Sequence, residues 1–474
     1  MEKTQMLEAL ERQRTAQTAA MPVSAATRED RLNRLIALLV DHGDALVKAM
    51  SEDFGHRSAE QSMITDILAG IKSAKHARKH MRQWMKPEKR PLDFPLGLLG
   101  ARARLEYQPK GVVGIVTPWN FPVQLTYAAL AGAYAAGNRC MVKASEFTPV
   151  TSALMAELGT KYFAEDELFF VSGGPEAGAD FASLPFDHLI FTGATSVGKH
   201  IMRAAAENLV PVTLELGGKS PVIVSRTADI ERAAARVALG KTLNAGQICL
   251  APDYLLAPKE KEEEFVASFA SSVRSMYPSM LANDDYTSVV NARHRERLQS
   301  YLDDASAKGA EVIEINPADE DFSSTNSNKM PVYVVRNVND DMKVMQDEIF
   351  GPILPVMTYD RVEDAVDYVN AHDRPLGLYY FGEHADEERA VLDKTVSGGV
   401  TVNDVLFHVT AEDLPFGGVG PSGMGSYHGI EGFRTFSHGK SVYRQPKINV
   451  AKLGGLLPPY GKATQTAIKR DFKK

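Results

Sequence analysis

Cysteine is scarce: the 474 residues hold two, Cys140 and Cys249. One pair cannot staple a chain of this size, which excludes a disulfide framework, points to a reducing compartment, and makes any special cysteine a chemical one. A dominant charge is missing as well, since 53 Lys and Arg stand against 60 Asp and Glu, a formal net charge of -7. That balance is mild and of the wrong sign for neutralising phosphates, so nucleic acid is not an expected partner; small molecules or a second copy of the chain are. The opening MEKTQMLEALERQR mixes both signs around no apolar centre, unlike an export signal, and a cytoplasmic protein is expected.

Uninterrupted apolar runs are also lacking. Gly111 to Asn138 carries no charge and has the length of a membrane span, yet Pro118, Trp119, Asn120, Phe121, Pro122, Gln124 and Thr126 break it with turn formers and polar groups. Lipid penalises such a segment, whereas a strand, loop and helix inside a large core accommodate it, so no membrane association is expected. No set of metal ligands is expected either.

What is present is ordinary globular composition, 44% hydrophobic and 24% charged, in a length that corresponds to about three domains at roughly 150 residues each. Leu32, Leu35, Ile36, Leu39, Val40, Leu46 and Val47 recur at helical spacing from Ala26 to Phe54, with Gly55 as the stop. Residues 86–110 are rich in Pro and Gly and include the alternating ARARLEY, which suggests a hairpin or arm. Short apolar runs then alternate with helical ones: GVVGIV before 122–136, RCMVKAS before 149–162, ELFFVSGG before a short helix, DHLIFTG before 196–208. The fold class is therefore α/β with parallel sheet, an architecture that places ligands at the C-terminal ends of strands. The pattern restarts with SPVIV after Leu214 and continues to about residue 410, suggesting a second α/β unit. From Lys447 onward seven basic residues face one acid, which reads equally as a tail wrapping a surface or as a solvated end.

Three residues invite chemistry together rather than singly. Cys249 lies in NAGQICLAP, where small residues let a ligand approach; Glu215 lies in LELGGKSP, at the end of a β-run before two glycines; Asn120 lies in TPWNFP, in a proline-stiffened turn. Alone they read as a core thiol, a surface carboxylate and a turn residue, and Cys140, in the buried run RCMVK, keeps the first of those readings. As a set they supply nucleophile, general base and oxyanion donor for carbonyl chemistry. FTGATSVGK places Gly193 and Gly198 where a strand gives way to a helix, as a phosphate-cradling turn requires, although two such glycines also serve a plain turn. Lys143 and Glu146 in VKASE follow another strand and read either as ribose ligands or as an exposed pair.

TPWNFP, VKASE, FTGATSVGK, LELGGKSP, GQICLAP, EIFGPILPV and LPFGGVGPSGMG, in this order and over nearly the whole chain, resemble the aldehyde dehydrogenase superfamily. Gly-x-Thr-x-x-Gly in FTGATSVGK, together with VTVNDVLFH and GMGSYHGIEGFRTFSH, looks most like the class 3 branch and the bacterial coniferyl aldehyde dehydrogenases within it. The resemblance implies a Rossmann-like NAD(P)-binding domain (1–85 and 108–214), a catalytic domain (215–412), and an oligomerisation arm with a C-terminal tail (86–107 and 435–474), assembled as a homodimer. It implies that Cys249 is the nucleophile, Glu215 the base and Asn120 the oxyanion donor. Lys143 and Glu146 would meet the adenosine ribose, Gly193 and Gly198 the cofactor turn, and Glu348 and Phe350 the nicotinamide end. The aldehyde would lie among Phe121, Gln124, Leu250, Leu406 and Val409, whose mostly apolar character suits an aromatic or medium-chain aldehyde, coniferaldehyde first; each equally suits plain core. The cofactor is NAD, with some use of NADP: Glu146 would repel a 2'-phosphate and Lys143 would offset that charge. Two rivals stand beside this reading, a Cys-His hydrolase drawing on His408 or His428 and a non-catalytic binding protein.

Overall fold

A computed structural model describes residues 1–94, 96–323 and 327–472. Pro95 of the expected arm and the last two residues of the expected tail lie outside this range, and the side chain of residue 471 is not described. Two mainly parallel sheets and one small antiparallel sheet organise the chain.

The first sheet is built from mostly apolar runs that are buried along nearly their whole length, because helices cover both faces and leave no solvated side to demand alternation. Its order is Gly423–Met424, Val212–Glu215, His188–Thr192, Val112–Val116, Arg139–Lys143, Leu168–Val171. The five longer strands are parallel and run 3-2-1-4-5 in chain order when counted from the Leu168–Val171 edge. The order reverses between Val112–Val116 and His188–Thr192, which opens a crevice beyond their C-terminal ends. Gly423–Met424 joins antiparallel, with Gly423 opposite Glu215. Helix Pro122–Ala136 follows the first of these strands; proline in its first turn needs no hydrogen-bond partner, and Gly137 at φ 92° ends it.

The second sheet restarts at Ser220–Val224 as expected and runs Glu311–Ile315, Val332–Arg336, Ile353–Tyr359, Pro252–Pro258, Ser220–Val224, Gly377–Phe381, Gly399–Val402, antiparallel only at its first edge. In the third, Arg102–Pro109 lies between Glu88–Arg90 and Ser437–Arg444, so the ARARLEY arm is the middle strand of a sheet completed from near the C-terminus.

Helix Ala25–Asp53, capped by the Ser24 hydroxyl accepting from the Thr27 N–H, buries Leu32, Leu35, Ile36, Leu39, Leu46 and Val47 against the first sheet's core. Val40 belongs to the expected apolar face but is 59% exposed, because one further turn beyond Ile36, itself at the rim, rotates it into solvent. Helix Lys3–Ala19 has no strong apolar stripe to mark it; it is held by Met6, Ala9 and Leu10 and by Gln13, whose amide donates to the Cys140 carbonyl at 3.0 Å. Among the described residues no helix is long and apolar enough to cross a membrane.

Candidate active site

Strand Val212–Glu215 delivers its last residue to the mouth of the crevice. Glu215 is 1% exposed and neither carboxylate oxygen has a hydrogen-bond partner among the described residues. Burial without a counter-charge pushes its carboxyl well above the ordinary range, as a proton acceptor working near neutrality requires. Glu348 is half-buried nearby, where its carboxylate fills the space a side chain on Gly217 would take. Burial first, then the nearby Asp253 charge, push Glu348 up to about 8, against a hydrogen bond received from the Gly218 N–H. Its Oε1 is also unpartnered. Asp253 pairs with Lys219 and accepts from the Ile349 N–H at 2.9 Å, which anchors the loop that carries Glu348 and Phe350.

Cys249 follows a strained loop. Past helix Ile230–Thr242, Asn244, Ala245 and Gly246 have φ of 51°, 52° and 72°, three consecutive left-handed residues of which only glycine is at ease. Side chains hold this conformation in place. Gln247 donates to the Asn244 and Ser288 carbonyls at 2.9 and 3.0 Å and accepts from the Val290 N–H at 2.9 Å. The result is a half-buried thiol whose sulfur accepts from the backbone N–H groups of Cys249 and Leu250. Burial, then the Glu215 and Glu348 charges, push the thiol well above its usual range, so at rest it carries its proton. Cys140 is fully buried in its strand, its thiol pushed far up by burial alone, which is the inert environment expected of it.

Asn120 is 3% exposed and its Nδ2 donates to the Gln247 carbonyl at 3.1 Å. That bond fixes which end of the amide is NH2 and leaves its second hydrogen free for an oxyanion. Asn120, Glu215, Cys249, Glu348 and Phe350 line one cleft of about 660 Å³, together with Gly193 and the start of helix Thr195–Ala206. The Gly193 N–H donates to the Glu215 carbonyl at 3.0 Å, which ties the turn to the strand that carries Glu215. The helix opens with no side-chain cap, so its first N–H groups are available to an anion. Gly198 does not line the cleft; a Cβ there would stand 2.7 Å from Leu216, so its smallness seats the helix on the strand end. Lys143 and Glu146 also lie outside the cleft lining, with Lys143 Nζ 3.5 Å from Glu146 Oε2 at the end of the adjacent strand.

Of the five residues expected around the aldehyde, Phe121, Leu406 and Val409 are half-buried and pack against the same apolar cluster as Cys249. Leu250 is 2% exposed within that cluster, and the Gln124 N–H is bound to Asp66. None of the five lines the large cleft. His408 bonds to Thr401 at 2.8 Å and the buried His428 ring has no hydrogen-bond partner among the described residues; burial pushes both down to about 4, and neither lines the cleft with Cys249. Among the described residues no three His, Cys, Asp or Glu gather as a metal ion would need.

Other cleft residues escaped the sequence reading. Trp119 meets Phe350 edge-on at 5.3 Å and His294 at 5.2 Å, while Arg297 donates to the Ile349 carbonyl at 2.8 Å. His294, Arg297 and Tyr301 lie three and four residues apart on helix Ala292–Ala307, so helical spacing of polar and aromatic groups was the available signal.

The Aldehyde dehydrogenase family matches residues 1–442 of the chain. A probable coniferyl aldehyde dehydrogenase of Caulobacter vibrioides is 57% identical over 473 residues, 100% of this chain and 98% of that protein. A coniferyl aldehyde dehydrogenase of a Pseudomonas species is 54% identical over 97% of this chain and 94% of that protein. The substrate-bound Staphylococcus aureus AldH structure superposes with a TM-score of 0.91 at 34% identity, covering 98% of this chain and 99% of that one. The chain belongs to the aldehyde dehydrogenase family.

Proposed function

We propose that the protein oxidises an aromatic aldehyde of the coniferaldehyde type to its carboxylic acid, with NAD as the preferred cofactor and some use of NADP. The observation that carries this reading is a buried, unpartnered carboxyl, Glu215, in one cleft with a half-buried thiol, Cys249, and an amide, Asn120.

The residues present suit a nicotinamide dinucleotide. The uncapped start of helix Thr195–Ala206, with Gly193, offers N–H groups to a diphosphate, and the free Oε1 of Glu348 is an acceptor for a ribose hydroxyl. Phe350 would flank the ring, and Lys143 with Glu146 would take the adenosine ribose. When bound, the oxidised ring accepts the hydride that no side chain can accept.

Cys249 gives up its proton to solvent as its sulfur bonds to the aldehyde carbon. The oxygen that becomes negative is held by the Asn120 amide and the Cys249 N–H. Loss of hydride from this thiohemiacetal leaves a thioester on Cys249. Glu215 then takes a proton from water, whose oxygen attacks the thioester carbon; the acid leaves and the thiol is restored. Transfer to a thiol such as coenzyme A has less need of this carboxylate, so Glu215 favours the free acid.

The relatives named for coniferyl aldehyde, and the apolar Phe121, Leu406 and Val409 packed against the cluster that supports Cys249, favour an aromatic substrate over a charged one. Steady-state kinetics over cinnamaldehydes and aliphatic aldehydes, each with NAD and NADP, test it: kcat/KM is expected to be highest for a cinnamaldehyde with NAD, and a small aliphatic aldehyde on top would overturn the substrate reading. We further propose a homodimer built through the arm and tail, where Leu453, Leu456, Tyr460 and Phe472 are 63–86% exposed in the single chain.

A further inference from the structure

The Asn120 turn and the Cys249 loop come from segments more than 100 residues apart, and their mutual placement decides whether amide and thiol serve one carbonyl. A third segment touches both. Asp66 Oδ1 accepts from the Val123 and Gln124 N–H groups at 3.2 and 3.1 Å, in the first turn of helix Pro122–Ala136, whose own flanking residue Phe121 provides no side-chain cap. Asp66 Oδ2 pairs with Arg57 Nη2 at 2.7 Å, both side chains being fully buried. The Arg57 guanidinium lies over Phe54 and Phe121, 5.0 and 5.2 Å from the ring centres. Between them in sequence, Gln61 Oε1 accepts from the Asn244 N–H at 2.8 Å, on the left-handed loop that leads to Cys249. The circuit closes through the active site, where Asn244 Nδ2 donates to the Asn120 carbonyl at 3.1 Å and Asn120 Nδ2 to the Gln247 carbonyl.

We propose that the segment from Arg57 to Asp66 is a positioning clamp that sets the Asn120 amide against the nucleophile loop, with Asp66 and Gln61 as its two grips. None of Arg57, Gln61 or Asp66 lines the cleft, so each acts through another residue. A fully buried ion pair is a poor way to add stability, since apolar replacements of similar volume often do as well. Here Arg57 fixes the carboxylate, and the carboxylate is the only side-chain cap on the helix start beside Asn120 among the described residues. Asp66 lies in a π-helical turn, Met63–Leu68, whose added residue redirects side chains and frequently marks functional sites.

The clamp rests on the assignment of Asn120 as oxyanion donor, and its test separates the two. In Arg57→Met/Asp66→Asn the charge pair is gone but Oδ1 still caps the helix; in Arg57→Met/Asp66→Ala the cap is lost as well. Single-turnover nicotinamide reduction is measured for both pairs, with and without Asn120→Ala. The Ala pair is expected to be roughly 10- to 100-fold slower than the Asn pair, with aldehyde KM little changed. In the Asn120→Ala background the two pairs are expected to agree within about twofold, because the grip then has nothing to position. Equal rates for the two pairs, or the same gap in both backgrounds, overturn the clamp while leaving a slow Asn120→Ala to support the oxyanion role. An unslowed Asn120→Ala overturns both. Should the Ala pair fail to fold, Gln61→Met, which removes only the acceptor for the Asn244 N–H, enters the same cycle with the same expected pattern.

Discussion

Glu348 shows how one residue can tie stability to pH. Its carboxyl titrates near 8 in the folded chain, against an ordinary value of 4.5. Between those values the folded state keeps a proton that the unfolded state releases, so its contribution is fully present below about 4.5 and is lost as pH rises toward 8. Glu348→Gln removes that dependence, and thermal melts of the ligand-free protein should show the variant gaining on the parent from pH 5 to pH 8. Burial above all keeps Cys249 protonated, so iodoacetamide should label the resting thiol slowly at neutral pH and faster as pH is raised. Rapid neutral-pH labelling of the parent would contradict a thiol held neutral. Asn120→Ala is expected to cost on the order of 3 kcal/mol of barrier with little change in Tm. Glu215→Gln should complete one hydride transfer and then stall as acyl-enzyme, visible as a burst and as added mass on Cys249; sustained turnover would remove Glu215 from the base role.

At the scale of elements, the strands and helices from Val112 to Thr242 were legible because each buried parallel strand is a short apolar run bounded by turn residues. Pro122–Ala136 and Pro149–Tyr162 fall where proline starts and apolar spacing predict. Asn120, Glu215 and Cys249 were legible only as a candidate set of amide, carboxyl and thiol, and the fold brings the three into one cleft. Arg57, Gln61 and Asp66 were not legible, since a buried pair in a polar-looking helical stretch gains its meaning only from backbone groups far along the chain. The left-handed loop before Cys249 escaped for a related reason: Asn244 and Ala245 are ordinary residues held in a costly conformation by outside partners. Gly246 is the exception in kind. A methyl there would meet the Gly351 carbonyl and face φ 72°, so Gly246→Ala should lower stability by about 1–3 kcal/mol, read from denaturant midpoints, and lower turnover by shifting the thiol.

Across the whole molecule, the antiparallel sheet joins residues 88–90 and 102–109 to 437–444, so arm and C-terminal region form one body. Truncation after Arg444 removes the exposed apolar side chains of the tail and is expected to weaken self-association; sedimentation of the full and shortened chains compares them directly. A shortened chain that sediments as the full one does would place the interface elsewhere. Gly423–Met424 lies beside Glu215 as the outermost strand of the first sheet, and the Leu216 N–H donates to the Ser422 carbonyl at 3.0 Å. The seat of Glu215 is thus finished by residues translated roughly two hundred positions after it. A chain still on the ribosome carries both side chains long before the strand that flanks Glu215 has been made.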